Sequence, residues 1–178
     1  MLAALNLEAS PDYLSYCEYP VAEKIGKRLV PIHFWAKRID SAEAWYLTAS
    51  EPDMEMEDEQ PAEDLPAALA TWVKRNSLEV RMVRMMDLKT SPWWIANWSE
   101  IIACLAANGK FITPGQREVV LQQCSTPTTV RTVCDSISGI DRGFALAVVY
   151  SLLQSGQLTC PTLETESLSP TSSISRTA

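Results

Sequence analysis

The stretch LVPIHFWAKRIDSAEAWYLTA, residues 29–49, decides the fold of the first half of the chain. Its two arms, residues 29–37 and 44–49, are apolar and aromatic, and the residues 38–43 between them are polar. Two apolar arms joined by a short polar connection are typical of an antiparallel hairpin. We therefore expect a pair of antiparallel strands in this half.

Segments on both sides of the hairpin extend the pattern. Residues 13–19 contain three tyrosines and predict a strand that ends at Pro20. Residues 62–76 place apolar side chains at helical spacing, with acids at the start and bases at the end. Residues 78–83 alternate as a strand, and the preceding helix is a crossover long enough for that strand to lie parallel to a neighbour. A hairpin, a helix and a returning strand together predict an α/β arrangement.

The second half of the chain, from Thr90 onward, has a helical pattern. Ser91 and Thr113 each stand before a proline, and a capping hydroxyl followed by proline marks the start of a helix. Two further helices are expected over residues 126–138 and 141–155, separated by a glycine-containing turn. A helix, a tight turn, a helix and a short strand predict a helix-turn-helix with the beginning of a wing.

These patterns predict an α+β protein in three parts. An α/β domain covers residues 1–88, and a helical winged-helix-like domain covers residues 89–160. Residues 161–178 are rich in serine and threonine without any period, which predicts a disordered tail. Within the first domain, residues 51–64 hold eight carboxylates, two prolines and no base. This composition predicts a solvated acidic loop, and we favour a surface insertion over a metal-binding or DNA-mimicking loop.

The composition narrows the possible chemistry. The net charge of -7 is concentrated in the acidic loop, and the rest of the chain is close to neutral. The five cysteines have no CxxC spacing and His33 is the one histidine, which argues against structural zinc and thiol catalysis. The longest apolar run, residues 144–150, is too short to span a bilayer, and no signal-peptide pattern is present. We expect a cytoplasmic protein that does not enter a membrane.

Four segments of the first half follow one another in the order of a known nuclease family. Residues 7–12 and 16–20 form an acidic stretch and a strand ending in Tyr-Pro, and residues 31–35 and 46–52 follow as two more strands. This order resembles the TnsA-type heteromeric transposase endonucleases. That family carries a strand ending in Gln-Pro, a Pro-Asp-Phe strand and a strand ending in Glu-Val-Lys-Pro. The segments that resemble its winged-helix-like second half are residues 78–102 and 145–158.

The resemblance implies a restriction-endonuclease-like core with a magnesium site. In such cores an aspartate, an acidic residue on the next strand and a lysine hold Mg²⁺ and activate water. Here the aspartate position falls at Ile32 or His33. The acid falls at Thr48 or Ala49, and the lysine at Ser50. Neutral side chains are poor Mg²⁺ ligands, so we predict that the nuclease activity is lost.

No catalytic or metal-binding residue is therefore assigned, and no cofactor is expected. His33 together with Glu51 is the one remnant that could rescue an active site, and Mg²⁺ would be required only in that case. On its own, His33 is expected to be a half-buried histidine with a hydrogen-bond partner.

The predicted helix-turn-helix offers a small set of DNA contacts. Thr128, Thr129 and Arg131 lie near the start of the first helix, and Arg142 lies close to the second. Residues 110–145 carry a net charge of only about +1, whereas strong duplex binding requires a basic face. We therefore expect this domain to dock on a protein partner.

Three tryptophans crowd the start of the helix that follows Ser91. Trp94 and Trp98 are four residues apart and are expected to pack in the core. Trp93 points elsewhere, and an exposed Trp93 would indicate a partner interface. Stacking on unpaired bases is the alternative role for these side chains.

Three functions remain open at this point. The first is a catalytically inactive, TnsA-like accessory subunit of a DNA transposition complex, which docks on a transposase and an AAA+ regulator and lies near transposon-end DNA. The second is an active Mg²⁺-dependent endonuclease that cuts transposon ends with a rearranged site. The third is a winged-helix DNA-binding regulator.

Overall fold

A computed structural model of the protein describes residues 2–25, 28–40, 42–48, 64–76, 79–83, 88–137 and 139–177. The chain forms two compact units, Met1–Leu7 with Asp12–Leu88, and Glu8–Pro11 with Lys89–Ala178. The two units divide between Leu88 and Lys89, but residues 8–11, which were expected in the first domain, belong to the second unit. Helices and strands are both present, which confirms the α+β class. Residues 51–63 of the predicted acidic loop lie outside the described residues.

In its described residues, the first unit is a four-stranded sheet with two α-helices. Its elements in chain order are α1 (Leu2–Glu8), β1 (Tyr13–Ile25), β2 (Arg28–Arg38), β3 (Glu43–Thr48), α2 (Asp64–Asn76) and β4 (Glu79–Val83). The strands stand in the order β1-β2-β3-β4. Strands β1, β2 and β3 are antiparallel, with Phe34 opposite Tyr46, which confirms the predicted hairpin. Strand β4 follows α2 and lies parallel to β3, as expected for a strand after a crossover helix.

The first strand extends beyond Pro20, and the prediction that this proline ends the strand is wrong. The register shifts between Glu18 and Val21, and Tyr19 has a φ of 48°. A bulge therefore accommodates the proline, which has no N–H to donate, and pairing resumes where Val21 faces Ile32.

One face of the sheet carries the core of the first unit. Side chains alternate along a strand, so Phe34 and Ala36 of β2 share a face with Tyr46 and Ala44 of β3. These four side chains and Leu7 of α1 form a buried cluster. Burial of this apolar surface stabilises the unit.

The second unit is built around one buried helix. Its elements in chain order are α3 (Pro92–Asn108), a 3₁₀ turn (Gly109–Phe111), α4 (Pro114–Gln123), β5 (Thr128–Thr129), α5 (Val130–Ser136), α6 (Arg142–Gln154), β6 (Leu158–Thr159) and β7 (Ser173–Arg176). Helix α3 begins at the predicted cap Ser91, and α4 begins at Thr113, which forms a capping box with Gln116. Helices α3, α4 and α5 all pack against α6.

The prediction of a disordered tail is wrong for residues 161–177. They form turns followed by β7, which pairs with both β5 and β6 in a sheet of order β5-β7-β6. Ile174 of β7 is fully buried. The Asn97 side chain, 2% exposed, donates to the carbonyls of Leu163 and Glu166 and accepts from a third backbone group of the segment. An apolar anchor and buried hydrogen bonds offset the entropy lost when this segment is ordered.

The helix-turn-helix region differs from the prediction at its first helix. The helix expected over residues 126–138 is the shorter α5, which begins only after β5. The helix expected over residues 141–155 is confirmed as α6, and Asp141 caps it by accepting from the Gly143 N–H.

The helices are of the lengths common in globular domains. Helix α3, with 17 residues, is the longest within the described parts of the chain. None of the helices in these parts combines the length and the apolar character that crossing a membrane requires.

Candidate functional site

The two positions at which the metal-binding aspartate was expected hold an apolar side chain and a neutral one. Ile32 has no exposed surface. His33 lies on the opposite face of β2, where its half-buried ring is 5.7 Å from the ring of Tyr19, measured between centroids. Burial lowers the pKa of His33, which keeps the imidazole neutral at pH 7. Neither side chain supplies the negative charge that attracts Mg²⁺.

The remaining positions of that site are described only in part. Thr48 is the last residue of β3 and pairs with Val83. Residues 49–51 lie outside the described residues, so the pairing of His33 with Glu51 stays a prediction. Among the residues that the structure describes, no cluster of three or more His, Cys, Asp or Glu side chains could hold a metal ion.

Two of the four predicted DNA contacts have roles within the fold. Thr128 and Thr129 form β5, opposite Ile174 and Ser173 of β7. The Thr129 hydroxyl accepts from the Thr132 N–H at 3.1 Å and so caps α5. These two threonines fix the start of α5 and its connection to the small sheet.

The other two predicted contacts, Arg131 and Arg142, lie at the same cavity. This cavity in the second unit has a volume of about 370 Å³. Its wall also includes Leu146 and Tyr150 of α6 and Glu100 of α3. The apolar part of the wall is completed by Val130, Leu168 and Pro170. Two cations that are eleven positions apart in the sequence thus line the same cavity.

A tyrosine–glutamate pair lies in the cavity wall and was not identified from the sequence. The Tyr150 hydroxyl donates to the Glu100 carboxylate at 2.7 Å. Burial and this hydrogen bond raise the pKa of Tyr150, so the phenol keeps its proton. The spacing of Arg142, Leu146 and Tyr150, four residues apart, could have indicated a shared helix face. The sequence held no signal that placed Glu100 opposite that face.

Helix α6, the second helix of the predicted helix-turn-helix, is largely buried. Seven of its residues are buried, namely Ala145, Ala147, Val148, Val149, Tyr150, Leu152 and Leu153. Helix α6 is therefore a core helix. Of its residues, only Arg142 and Gly143 in the first turn are exposed. A helix packed in this way cannot lie in a DNA groove.

The three tryptophans of α3 divide into core and surface residues. Trp94 and Trp98 are 4% and 6% exposed, with ring centroids 6.2 Å apart, which confirms their predicted core packing. Trp93 is 48% exposed. A large aromatic side chain left in solvent is a characteristic anchor of protein interfaces.

Comparisons with known proteins found no relative from which the roles of these residues could be inferred. A scan against protein-family models gave no match, and no curated protein matched the sequence. The candidate residues named above are therefore assigned from their positions and contacts in this chain.

Proposed function

We propose that the protein is a catalytically inactive, TnsA-like accessory subunit of a DNA transposition complex, which docks on a transposase and its AAA+ regulator. The observation that carries this proposal is Ile32, an isoleucine without exposed surface at a position expected for the metal-binding aspartate. A carboxylate at such a place would need a bound cation to offset the loss of its hydration.

The order of elements supports the proposal in both units. The first unit has a helix, three antiparallel strands, a crossover helix and a fourth strand parallel to the third, an order that supports the proposal of a restriction-endonuclease-like core. From α4 onward, the second unit has a helix, a strand, two helices and two strands, with the last strand in the middle of the sheet, an order that supports the proposal of a winged helix. In such a domain, residues 161–177 would supply the wing and the last strand.

Docking accounts for the second unit better than DNA reading does. Helix α6 is buried beyond its first turn, and Thr128 and Thr129, expected as contacts at the other helix, form β5. Trp93 on α3, by contrast, is exposed. Specific duplex recognition requires side chains that reach base edges, and α6 offers them only at its first turn. A protein partner can bind at Trp93 without a helix whose side chains reach base edges.

Two measurements test the proposal. The purified full chain should leave supercoiled plasmid DNA intact with Mg²⁺ or Mn²⁺, and it should co-purify with the transposase and AAA+ ATPase encoded by neighbouring genes. Nicking that requires Glu51 would favour the active endonuclease with a rearranged site. Salt-sensitive duplex binding without a partner would favour the DNA-binding regulator, and neighbouring genes that encode neither partner would contradict the proposal.

Trp93 provides the sharper test of docking. Trp93→Ser should weaken co-purification at least tenfold, because a buried tryptophan anchor contributes roughly 2 kcal/mol or more to an interface. Phe111→Ser is the matched control, since Phe111 is another exposed aromatic residue of the second unit, 58% exposed. Equal loss for both variants, or loss for neither, would remove Trp93 from the interface.

A further inference from the structure

The cavity of the second unit is a groove with different chemistry at its two ends. Arg142, Leu146 and Tyr150 follow one face of α6 at intervals of four residues. With a rise of 1.5 Å per residue, this face is about 12 Å long from the arginine to the tyrosine. Along this face the groove passes from the Arg142 guanidinium over Leu146 to the Tyr150–Glu100 pair, and Arg131 of α5 is a second cation in its wall.

The cationic end is open to a ligand. Arg131 makes no ion pair with any of the described residues. Arg142 has one, with Asp135 at 3.7 Å, and both side chains are more than half exposed. An exposed pair of this kind contributes little and can be exchanged for an incoming anion. Two guanidinium groups beside apolar walls match a carboxylate that is joined to an apolar body.

The opposite end restricts what can occupy the groove. Glu100 holds a carboxylate there, in a hydrogen bond with the protonated Tyr150 hydroxyl. A ligand with several negative charges would be repelled at this end, which disfavours an acidic protein segment. The Cys134 thiol in the wall has a pKa raised by burial, so it adds no negative charge.

We propose that this cavity binds a small amphipathic carboxylate, with its head group at Arg131 and Arg142 and its apolar chain along Leu146 and Leu168. The volume of about 370 Å³ lies within the range typical of small-molecule sites, roughly 300 to 1,000 Å³. Ligand binding at this site does not depend on the proposed transposition role. It is expected whether the second unit docks on a protein or binds DNA.

Titration of octanoate and octanol into the ¹⁵N-labelled full chain tests the proposal. Octanoate should bind with one-to-one stoichiometry and about tenfold more tightly than octanol, because only the acid engages the guanidinium groups. The amide signals of residues 130–134 and 142–150 should shift. Octanoate without effect at several millimolar, or an affinity equal to that of octanol, would overturn the proposal.

Four variants assign the binding to this groove. Arg131→Gln should weaken octanoate binding about tenfold, whereas Arg176→Gln, at an exposed position of β7, should leave it unchanged. Glu100→Gln should bind octanoate at least as tightly as the parent chain, since it removes a repelling charge. Leu146→Trp fills the half-buried centre of the groove and should abolish binding with little change in melting temperature.

Other outcomes count against the site. Octanoate binding that survives both Arg131→Gln and Leu146→Trp would place the ligand elsewhere on the chain and overturn the proposal. A soluble peptide of alternating Asp and Leu that shifts the same amides more strongly than octanoate would also overturn it. That result would assign the groove to an acidic protein segment.

Discussion

Along β2 of the first unit, fully buried residues alternate with half-buried ones, whereas the middle of α6 in the second unit is buried almost without interruption. Ile32 and His33 are neighbours in the chain, yet they lie on opposite faces of the sheet in different surroundings. A strand can therefore exchange a functional side chain for a core residue at one position and keep a polar residue at the next. A helix at the centre of a bundle is packed on most of its faces, so few of its positions can carry an exposed polar side chain.

This difference shows where function can persist in each unit. In the first unit, the face that contains Ile32 contributes to the core, and the described positions expected to bind metal, Ile32, His33 and Thr48, carry no negative charge. In the second unit, the buried body of α6 leaves functional side chains to the margins, where Arg142, Arg131 and Trp93 are exposed. Each of the following predictions tests one side of this contrast.

The largest effect is expected from restoring an acid to β2. Ile32→Asp should destabilise the first unit by about 4 kcal/mol or more, because an unpaired carboxylate would be enclosed by apolar side chains. His33→Asp should cost about 1 kcal/mol or less, since the half-buried face can hydrate the charge. Urea-induced unfolding, monitored through hydrogen exchange of the β2 amides, gives the change in the free energy of unfolding for both variants.

The same pair of variants distinguishes a core position from a dormant metal site. Mg²⁺ at a few millimolar could restore the stability of Ile32→Asp and leave that of His33→Asp unchanged. In that case the Ile32 face of β2 can form a magnesium site. The proposal that the fold is a scaffold without a metal site would then be wrong. Equal destabilisation by both variants would show that the two faces of β2 do not differ as described.

A smaller effect is expected in the segment that completes the second unit. Ile174→Ala should destabilise this unit by about 3 kcal/mol, because it removes a fully buried side chain from β7. Ser173→Ala, at the exposed neighbouring position, should change stability by less than about 0.5 kcal/mol. Urea unfolding, monitored through hydrogen exchange of the α6 amides, gives the change in the free energy of unfolding for both variants. If Ile174→Ala has no effect, residues 161–177 do not belong to the core.

Local signals in the sequence predicted most elements, and long-range pairing explains the main failure. Ser91 and Thr113, each before a proline, marked two helix starts to the residue. The strand after the crossover helix was predicted from its alternation. Residues 161–177 have no period because they are held by partners distant in the chain, such as Asn97 and β5. No local pattern encodes such contacts.

The candidate site was predicted to a lesser extent. Arg131 and Arg142 were selected as polar residues near helix starts, and the structure places both at one cavity. Thr128 and Thr129 were selected for the same reason, but they form a strand and a helix cap. Glu100 was missed because its role arises only when α3 packs on α6. Residue type and local spacing identify candidates, and tertiary packing decides which of them meet.

The smallest effect appears only in alkali and concerns the buried thiols of the second unit. Burial raises the pKa of Cys124 from 9.0 to about 11, so the folded chain holds this proton more tightly than the unfolded chain. Its stabilising contribution is fully present below pH 9 and is lost as the pH rises toward 11, by about 2 kcal/mol. Cys124→Ala should lose less stability than the parent chain between pH 9 and 11, whereas Cys17→Ala, on exposed β1, should follow the parent chain. Parallel pH profiles for all three proteins would show that the core around α4 and α6 admits water.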